Sequence, residues 1–160
     1  MTEAEFRQLF DTHFDEIRNY IWYRCGDGDL ASDVTQETFV RLWEKRPYHD
    51  KSKLRGLLFK MAGDIFITHH RKKNSDLKFR TSLKQHIENK TPEEELQYQE
   101  LKTKYEQALS AMPEKQRIVF LMSRYDKKKY KEIAEATGLG MKAIEKRMSL
   151  ALQFIREKIQ

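Results

Sequence analysis

The 160 residues include a single cysteine, three prolines and six glycines, and no stretch free of Asp, Glu, Lys and Arg outruns the eight residues from Met148 to Ile155. A lone Cys25 can close no internal disulfide and build no cysteine-rich metal site, so no covalent or zinc staple holds the fold. A membrane-spanning helix needs about 20 consecutive apolar residues, so none is expected here. The chain opens with Glu3 and Glu5 where a secretory signal would carry a basic segment and an apolar run, and a cytoplasmic protein is expected. Strand signals are weak, because valine is scarce and no alternating apolar and polar run is bounded by Asn-Gly or Asp-Gly. Also missing are a glycine-rich phosphate loop, a motif of paired catalytic carboxylates and a Ser or Cys nucleophile with its His, which argues against an enzyme.

What is present is charge. Charged residues make up 35% of the chain and hydrophobic ones 39%, so any core is small, and the length suits one ordinary domain or two small ones. The formal net charge of +6 is the balance of four blocks of alternating sign. Residues 1–50 carry six basic and eleven acidic side chains, and residues 51–90 carry eleven and three. Residues 91–110 carry two and five, and residues 111–160 carry twelve and six. Two basic segments separated by acidic ones are the footprint of a polyanion partner, since each neutralised phosphate releases condensed counterions. The same pattern also suits a solvated lysine-rich surface.

Helical spacing dominates. Phe6, Leu9, Phe10, Phe14, Ile17, Tyr20 and Ile21 recur at intervals of three and four and predict a helix burying one stripe, broken at Gly26-Asp27-Gly28-Asp29. A second helix is expected from about Leu30 to Lys45, ending before Pro47. A third begins near Ser52 with Leu54, Leu57, Leu58, Met61 and Ile65, and the three make one small bundle. From Asn74 to Asn89 no period persists, which reads as an exposed, lysine-rich linker. Thr91-Pro92-Glu93-Glu94-Glu95 then offers a capping Thr, a first-turn Pro and carboxylates against the positive end of a helix dipole. That helix carries Leu96, Leu101, Tyr105 and Leu109. Pro113-Glu114 starts the next, with Ile118, Phe120, Leu121 and Met122 as its buried part. The expectation is an all-α chain of two small helical domains, 1–74 and 93–160, joined by a flexible linker at 75–92.

Tyr130 to Thr137 forms a short helix, Gly138-Leu139-Gly140 a turn and Met141 to about Lys158 the last helix, which is the pattern of a helix-turn-helix. In the last helix Ile144, Met148, Ala151, Leu152 and Ile155 fall within one arc of about 100°, and this face packs. Lys142, Lys146, Ser149 and Gln153 lie opposite with Arg147 on the flank, where a recognition helix would meet the major groove. An ordinary amphipathic helix would look similar, but the short helix, glycine turn and basic outer face occur together.

These residues carry a resemblance. Tyr130-Lys-Glu-Ile-Ala-Glu, Gly138-Leu139 and Ala143-Ile-Glu-Lys-Arg147-Met-Ser-Leu-Ala151 resemble the DNA-binding region four of bacterial RNA polymerase sigma factors. Leu109-Ser-Ala-Met-Pro-Glu-Lys-Gln-Arg117-Ile-Val-Phe-Leu is similar to its lead-in helix. Independently, Asp33-Val-Thr-Gln-Glu-Thr-Phe-Val-Arg-Leu-Trp43 resembles the region-two helix that docks on the polymerase clamp. Leu57-Leu58-Phe59-Lys60 through His70-Arg71-Lys72-Lys73 resembles the segment that melts and reads the −10 element. Two regions joined by a short linker resemble the extracytoplasmic-function subgroup, and Ile144-Glu145-Lys146-Arg147 is similar to its iron-transport-regulator branch. The resemblance implies core RNA polymerase and promoter DNA as partners, an anti-sigma factor that in this branch is membrane-linked, no small-molecule substrate and no cofactor. It places −35 contacts on Lys142, Lys146, Arg147 and Ser149. It places −10 contacts on Phe59, Lys60, Asp64, His69, Arg71, Lys72 and Lys73, and polymerase contacts on Asp33, Gln36, Glu37, Val40 and Arg41. The chain departs from the family's pattern at Leu57-Leu58, where Trp-Leu is usual, and at Asp64, Thr68, Gly140 and Leu150, where Asn, Asp, Ser and Arg are common.

The physical reading stands beside this. Asp33, Glu37, Arg41 and Glu44 share a helix face with Gln36 at its edge and Val40 among them; an apolar residue within a charged face suits a protein interface with a polar rim, and without the resemblance an ordinary solvated helix face is the safer reading. Lys60, Arg71, Lys72 and Lys73 can hold phosphates, while Phe59, Phe66, His69 and His70 offer planar groups for unpaired bases, although most of these aromatics, taken one by one, suit the core better. His69-His70 is not read as a metal site, because adjacent helical residues point about 100° apart and no further ligand accompanies them. The competing function is a stand-alone helix-turn-helix regulator with an N-terminal sensor or dimerisation bundle.

Overall fold

The computed structural model describes residues 1–46, 50–70, 79 and 91–160, and among these the regular structure is seven α-helices. They are α1 (Glu3–Cys25), α2 (Gly28–Lys45), α3 (Lys51–His70), α4 (Pro92–Ala111), α5 (Glu114–Arg124), α6 (Tyr130–Thr137) and α7 (Met141–Ile159). Their ends follow from local chemistry. Thr2 accepts from the Glu5 amide while Glu5 returns a bond to the Thr2 amide, a capping box that starts α1. Gly26, at φ 71°, turns the chain out of α1, and Asp27 caps α2 through the amides of Asp29 and Leu30. Thr91 and Glu94 repeat the capping box at α4, with Pro92 in the first turn. Gly138, at φ 74°, closes α6. Gly140 precedes α7 with no side-chain cap, the consequence expected of glycine at that position.

In α1 the predicted stripe is fully buried only at Ile17 and Ile21, with Tyr23 and Cys25 joining them inside. Each such aliphatic burial contributes about 1.5–3 kcal/mol. Toward its N-terminus the stripe opens into an aromatic cluster in which Phe10 lies 5.1 Å from Phe39 and Phe6 lies 5.0 Å from Trp43, with Phe10 partly in solvent. Leu30, Val34, Phe39 and Leu42 of α2 and Leu54, Leu58, Phe59, Ala62, Ile65 and Phe66 of α3 complete this first bundle. The second is built by α4 to α7 around Leu109, Met112, Val119, Leu121, Met122, Ile133, Ile144, Met148 and Ala151. Leu152 departs from its expected burial and is 45% exposed, because it sits at the edge of the packed arc of α7. Leu96 and Leu101 of α4 are likewise exposed.

The two bundles share one continuous core, because α1 packs on α5 and α3 packs on α6. Arg117 of α5 lies at the junction. Its buried guanidinium donates to the carbonyls of Tyr23 (2.7 Å) and Arg24 (2.7 Å) at the end of α1, and to those of Met112 (3.0 Å) and Leu109 (3.3 Å) at the end of α4. One planar fork thus satisfies the last carbonyls of two helices. Phe79 falls within the stretch expected to be an exposed linker, yet it is only 3% exposed. Its ring lies 5.7 Å from that of Trp22 and 4.6 Å from the Arg117 guanidinium carbon, so an isolated aromatic is drawn into the junction by apolar burial and a cation–π contact.

Candidate nucleic-acid and polymerase interfaces

The helix-turn-helix is formed by α6 and α7, backed by α5. Ile133 and Ala136 of α6 and Ile144, Met148 and Ala151 of α7 are buried against α5, which fixes the rotation of α7 about its axis. Lys142, Lys146 and Ser149 consequently project into solvent, and Arg147 is half-buried on the flank. Two lysines and a hydroxyl on the first half of an exposed helix can donate to base edges or phosphates in a major groove.

On α3 the core takes Leu58, Phe59, Ala62, Ile65 and Phe66, leaving Lys60, Asp64, Ile67, Thr68 and His69 outside. Phe59, expected to offer its ring to a base, is 2% exposed; it stands edge-on to Tyr20 at 5.2 Å and lies 5.1 Å from the Lys128 ammonium. Phe66 is equally buried beneath the Arg24 guanidinium, 4.6 Å away. The apolar group that α3 does present is Ile67, which the sequence reasoning missed. Its spacing of three from Asp64 and seven from Lys60 is the signal that places it on their face. Arg71, Lys72 and Lys73 lie outside the described residues.

On α2, Asp33, Gln36, Arg41 and Val40 are exposed, Val40 by 54%, and Glu37 is half-buried among them. Glu37 accepts from Arg41 at 2.7 Å and pairs with Nε2 of His69 at 2.7 Å. These bonds, that from His69 first, hold the Glu37 carboxyl below its ordinary range. The fold therefore joins one residue from each of two faces that the sequence kept separate, the charged face of α2 and the outer face of α3. Among the described residues no group of three or more His, Cys, Asp or Glu side chains is placed to hold a metal ion, and no helix is long and apolar enough to cross a membrane.

Two independent family matches coincide with the two bundles: sigma-70 region 2 over residues 9–75 and sigma-70 region 4 over residues 102–155. The chain belongs to the sigma-70 family. Its relatives point to the extracytoplasmic-function subgroup of sigma factors. It is 26% identical over 143 residues to the RNA polymerase sigma factor YlaC of Bacillus subtilis, covering 85% of this chain and 81% of that one. It is 24% identical to the ECF RNA polymerase sigma factor SigM of the same organism, over 83% and 82% of the two chains. It is 23% identical to the ferric citrate uptake sigma factor FecI of Escherichia coli, over 92% and 87%. The fold is that of the sigma factor RpoE of Bartonella quintana, solved in complex with the anti-sigma factor NepR, with a TM-score of 0.63, 21% identity and 96% of each chain covered. For a sigma factor, the charged face of α2 falls within region 2 and the outer face of α7 within region 4.

Proposed function

We propose that this sigma factor binds core RNA polymerase through the α2 face and directs transcription initiation at promoters read by α3 and α7. The observation that carries the reading is the exposure of Lys142, Lys146 and Ser149 opposite a buried Ile144–Met148–Ala151 seam, in a chain whose other half presents Val40 within a charged rim. Residues 1–74 act as the polymerase-binding and −10-reading domain, 93–160 as the −35-reading domain and 75–92 as the segment between them. Asp33, Gln36, Glu37, Val40 and Arg41 are the polymerase contacts, since a desolvated apolar centre with a polar rim is the anatomy of a protein interface. Lys60, Arg71, Lys72 and Lys73 hold phosphates, and Asp64, Ile67 and His69 line the face on which the opened strand lies. The protein performs no bond chemistry, works in the cytoplasm, and is restrained by an anti-sigma factor, membrane-linked as the iron-transport resemblance suggests.

Run-off transcription with purified core polymerase tests this. Addition of the chain should confer promoter-specific initiation, and the chain should co-sediment with core. The double variant Glu37→Lys/Val40→Asp should keep its helical circular dichroism and lose most of the co-sedimentation. DNA binding without any association with core would instead favour a stand-alone helix-turn-helix regulator.

A further inference from the structure

The outward face of α7 carries an apolar residue among its lysines. Burial of Ile144, Met148 and Ala151 fixes how the helix is turned about its axis. At about 100° per residue, Lys146 stands almost opposite that seam, and Ser149 and Leu150 flank it at about 50° on either side. Leu150 is 39% exposed and lies outside the apolar core cluster. A single exposed leucine is ordinary on a soluble protein, so its place on the helix decides what it signifies. Leu152 supplies the contrast. It is 45% exposed, yet it sits about 110° from the outward direction, at the edge of the packed arc.

The charge along this face changes sign. Lys142, Lys146 and Leu150 follow one another at intervals of four, one per turn of the helix. Farther on, Glu157 accepts from Nε2 of Gln153 at 3.2 Å, so the distal end of the face offers a carboxylate and an amide that is already engaged. A carboxylate repels phosphates, and the part of α7 suited to a major groove therefore runs from its N-terminus to about Leu150. Leu150 lies one turn past Lys146, about 6 Å along the axis, which is on the order of two base-pair steps.

An aliphatic side chain has neither donor nor acceptor, so the hydrogen-bonding edges of the bases and the phosphates gain nothing from it. The one apolar substituent that a base pair presents in the major groove is the 5-methyl group of thymine. Contact between that methyl and a leucine removes apolar surface of both from water, and burial of one methyl group is worth about fourfold in affinity.

We propose that Leu150 is a specificity-determining residue of the duplex contact, packing on the 5-methyl group of a thymine about two base pairs beyond the pair faced by Lys146. The inference rests on the proposed function for the presence of promoter DNA against α7, and it adds which base this side chain selects. Lys142 and Lys146 supply hydrogen bonds and charge on the same face, whereas Leu150 supplies discrimination without charge.

The test uses the full chain assembled with core polymerase. Duplexes enriched from a library randomised across the −35 element serve as the probe. Each thymine in them is then replaced singly by deoxyuridine, which removes the methyl group and leaves the pairing and the O4 acceptor in place. At one position the replacement should weaken wild-type binding about fourfold. Leu150→Ala should lose a similar factor on the thymine duplex and show no further loss on the deoxyuridine duplex, because the contact is already gone. Leu152→Ala removes an equally exposed leucine from the other side of the helix and should keep the full sensitivity to deoxyuridine. Wild-type binding that ignores every deoxyuridine overturns the role of Leu150, and so does a sensitivity that survives undiminished in Leu150→Ala. A library that yields no enriched sequence overturns the proposed function itself, so the two failures are told apart.

Discussion

At the scale of single residues, α3 shows how one helix divides its apolar groups between core and surface. Phe59 is in the core with Leu58, Ala62 and Phe66, whereas Ile67 shares the outer face with Lys60 and Asp64. Phe59→Ala should therefore cost about 3–5 kcal/mol in urea denaturation, the cost of a cavity. Ile67→Ala should stay within about 0.5 kcal/mol of wild type and weaken single-stranded DNA binding. Equal stabilities for the two variants would refute this division. On α7, Lys146 points outward and Arg147 lies half-buried on the flank. Lys146→Ala should flatten sequence preference within the −35 element, losing roughly 1–3 kcal/mol at one position, whereas Arg147→Ala should weaken all sequences alike and lower the salt slope by about one. Binding to singly substituted −35 elements at two salt concentrations separates the two roles. The faces of α7 were legible because its apolar residues hold a clean helical period. The motif match left Phe59 open between core and base contact, because it names a residue without saying which way it points, and the burial of Phe79 was missed because an isolated aromatic in a lysine-rich stretch has no period to betray it.

At the scale of elements, starts and stops were readable wherever a side chain or a glycine does the capping: Thr91 with Glu94, Gly26 and Gly138 all stand where the pattern placed them. Illegible were the polar contacts between elements, because Glu16, Arg55 and Lys128 are far apart in sequence and each alone reads as solvated charge. Burial of the Glu16 carboxyl would raise its pKa, but hydrogen bonds from His13, Arg55 and Lys128 outweigh burial and bring it down to about 2 from an ordinary 4.5. A depressed carboxyl contributes stability that is fully present above its unfolded value and lost as pH falls through its folded one. The relevant window runs from about pH 4.5 down to about 2, and the contribution amounts to about 3 kcal/mol at most. Asp126, displaced upward by burial, acts in the opposite sense, favouring the fold where it is protonated. Urea midpoints measured across this window should fall steeply in the wild type and less steeply in Glu16→Gln. Parallel slopes for the two proteins would show that Glu16 gains nothing from its three partners.

At the scale of the whole molecule, the alternating blocks of charge and the aperiodic middle suggested two independent halves, and the fold joins them. Ile17 and Ile21 of α1 belong to the same buried cluster as Val119 and Met122 of α5, and Arg117 ties the last carbonyls of α1 to those of α4. Breaking that junction would orphan several carbonyls at once, each at a cost of about 1–3 kcal/mol if it stays buried, which favours the two halves unfolding together. Thermodynamic coupling of this kind makes unfolding a single transition, which is diagnosed when different probes coincide. The probes are already in the chain: both tryptophans, Trp22 and Trp43, lie in the first bundle, whereas far-ultraviolet circular dichroism reports the helices of both. In urea the two signals should superimpose for the wild type. With Lys128→Glu the loop between α5 and α6 no longer holds the second bundle against Glu16, and the tryptophan and circular-dichroism midpoints should move apart while total helicity in water is unchanged. Superimposed curves in the variant as well would mean that Arg117 and the apolar junction couple the halves without help from the loop.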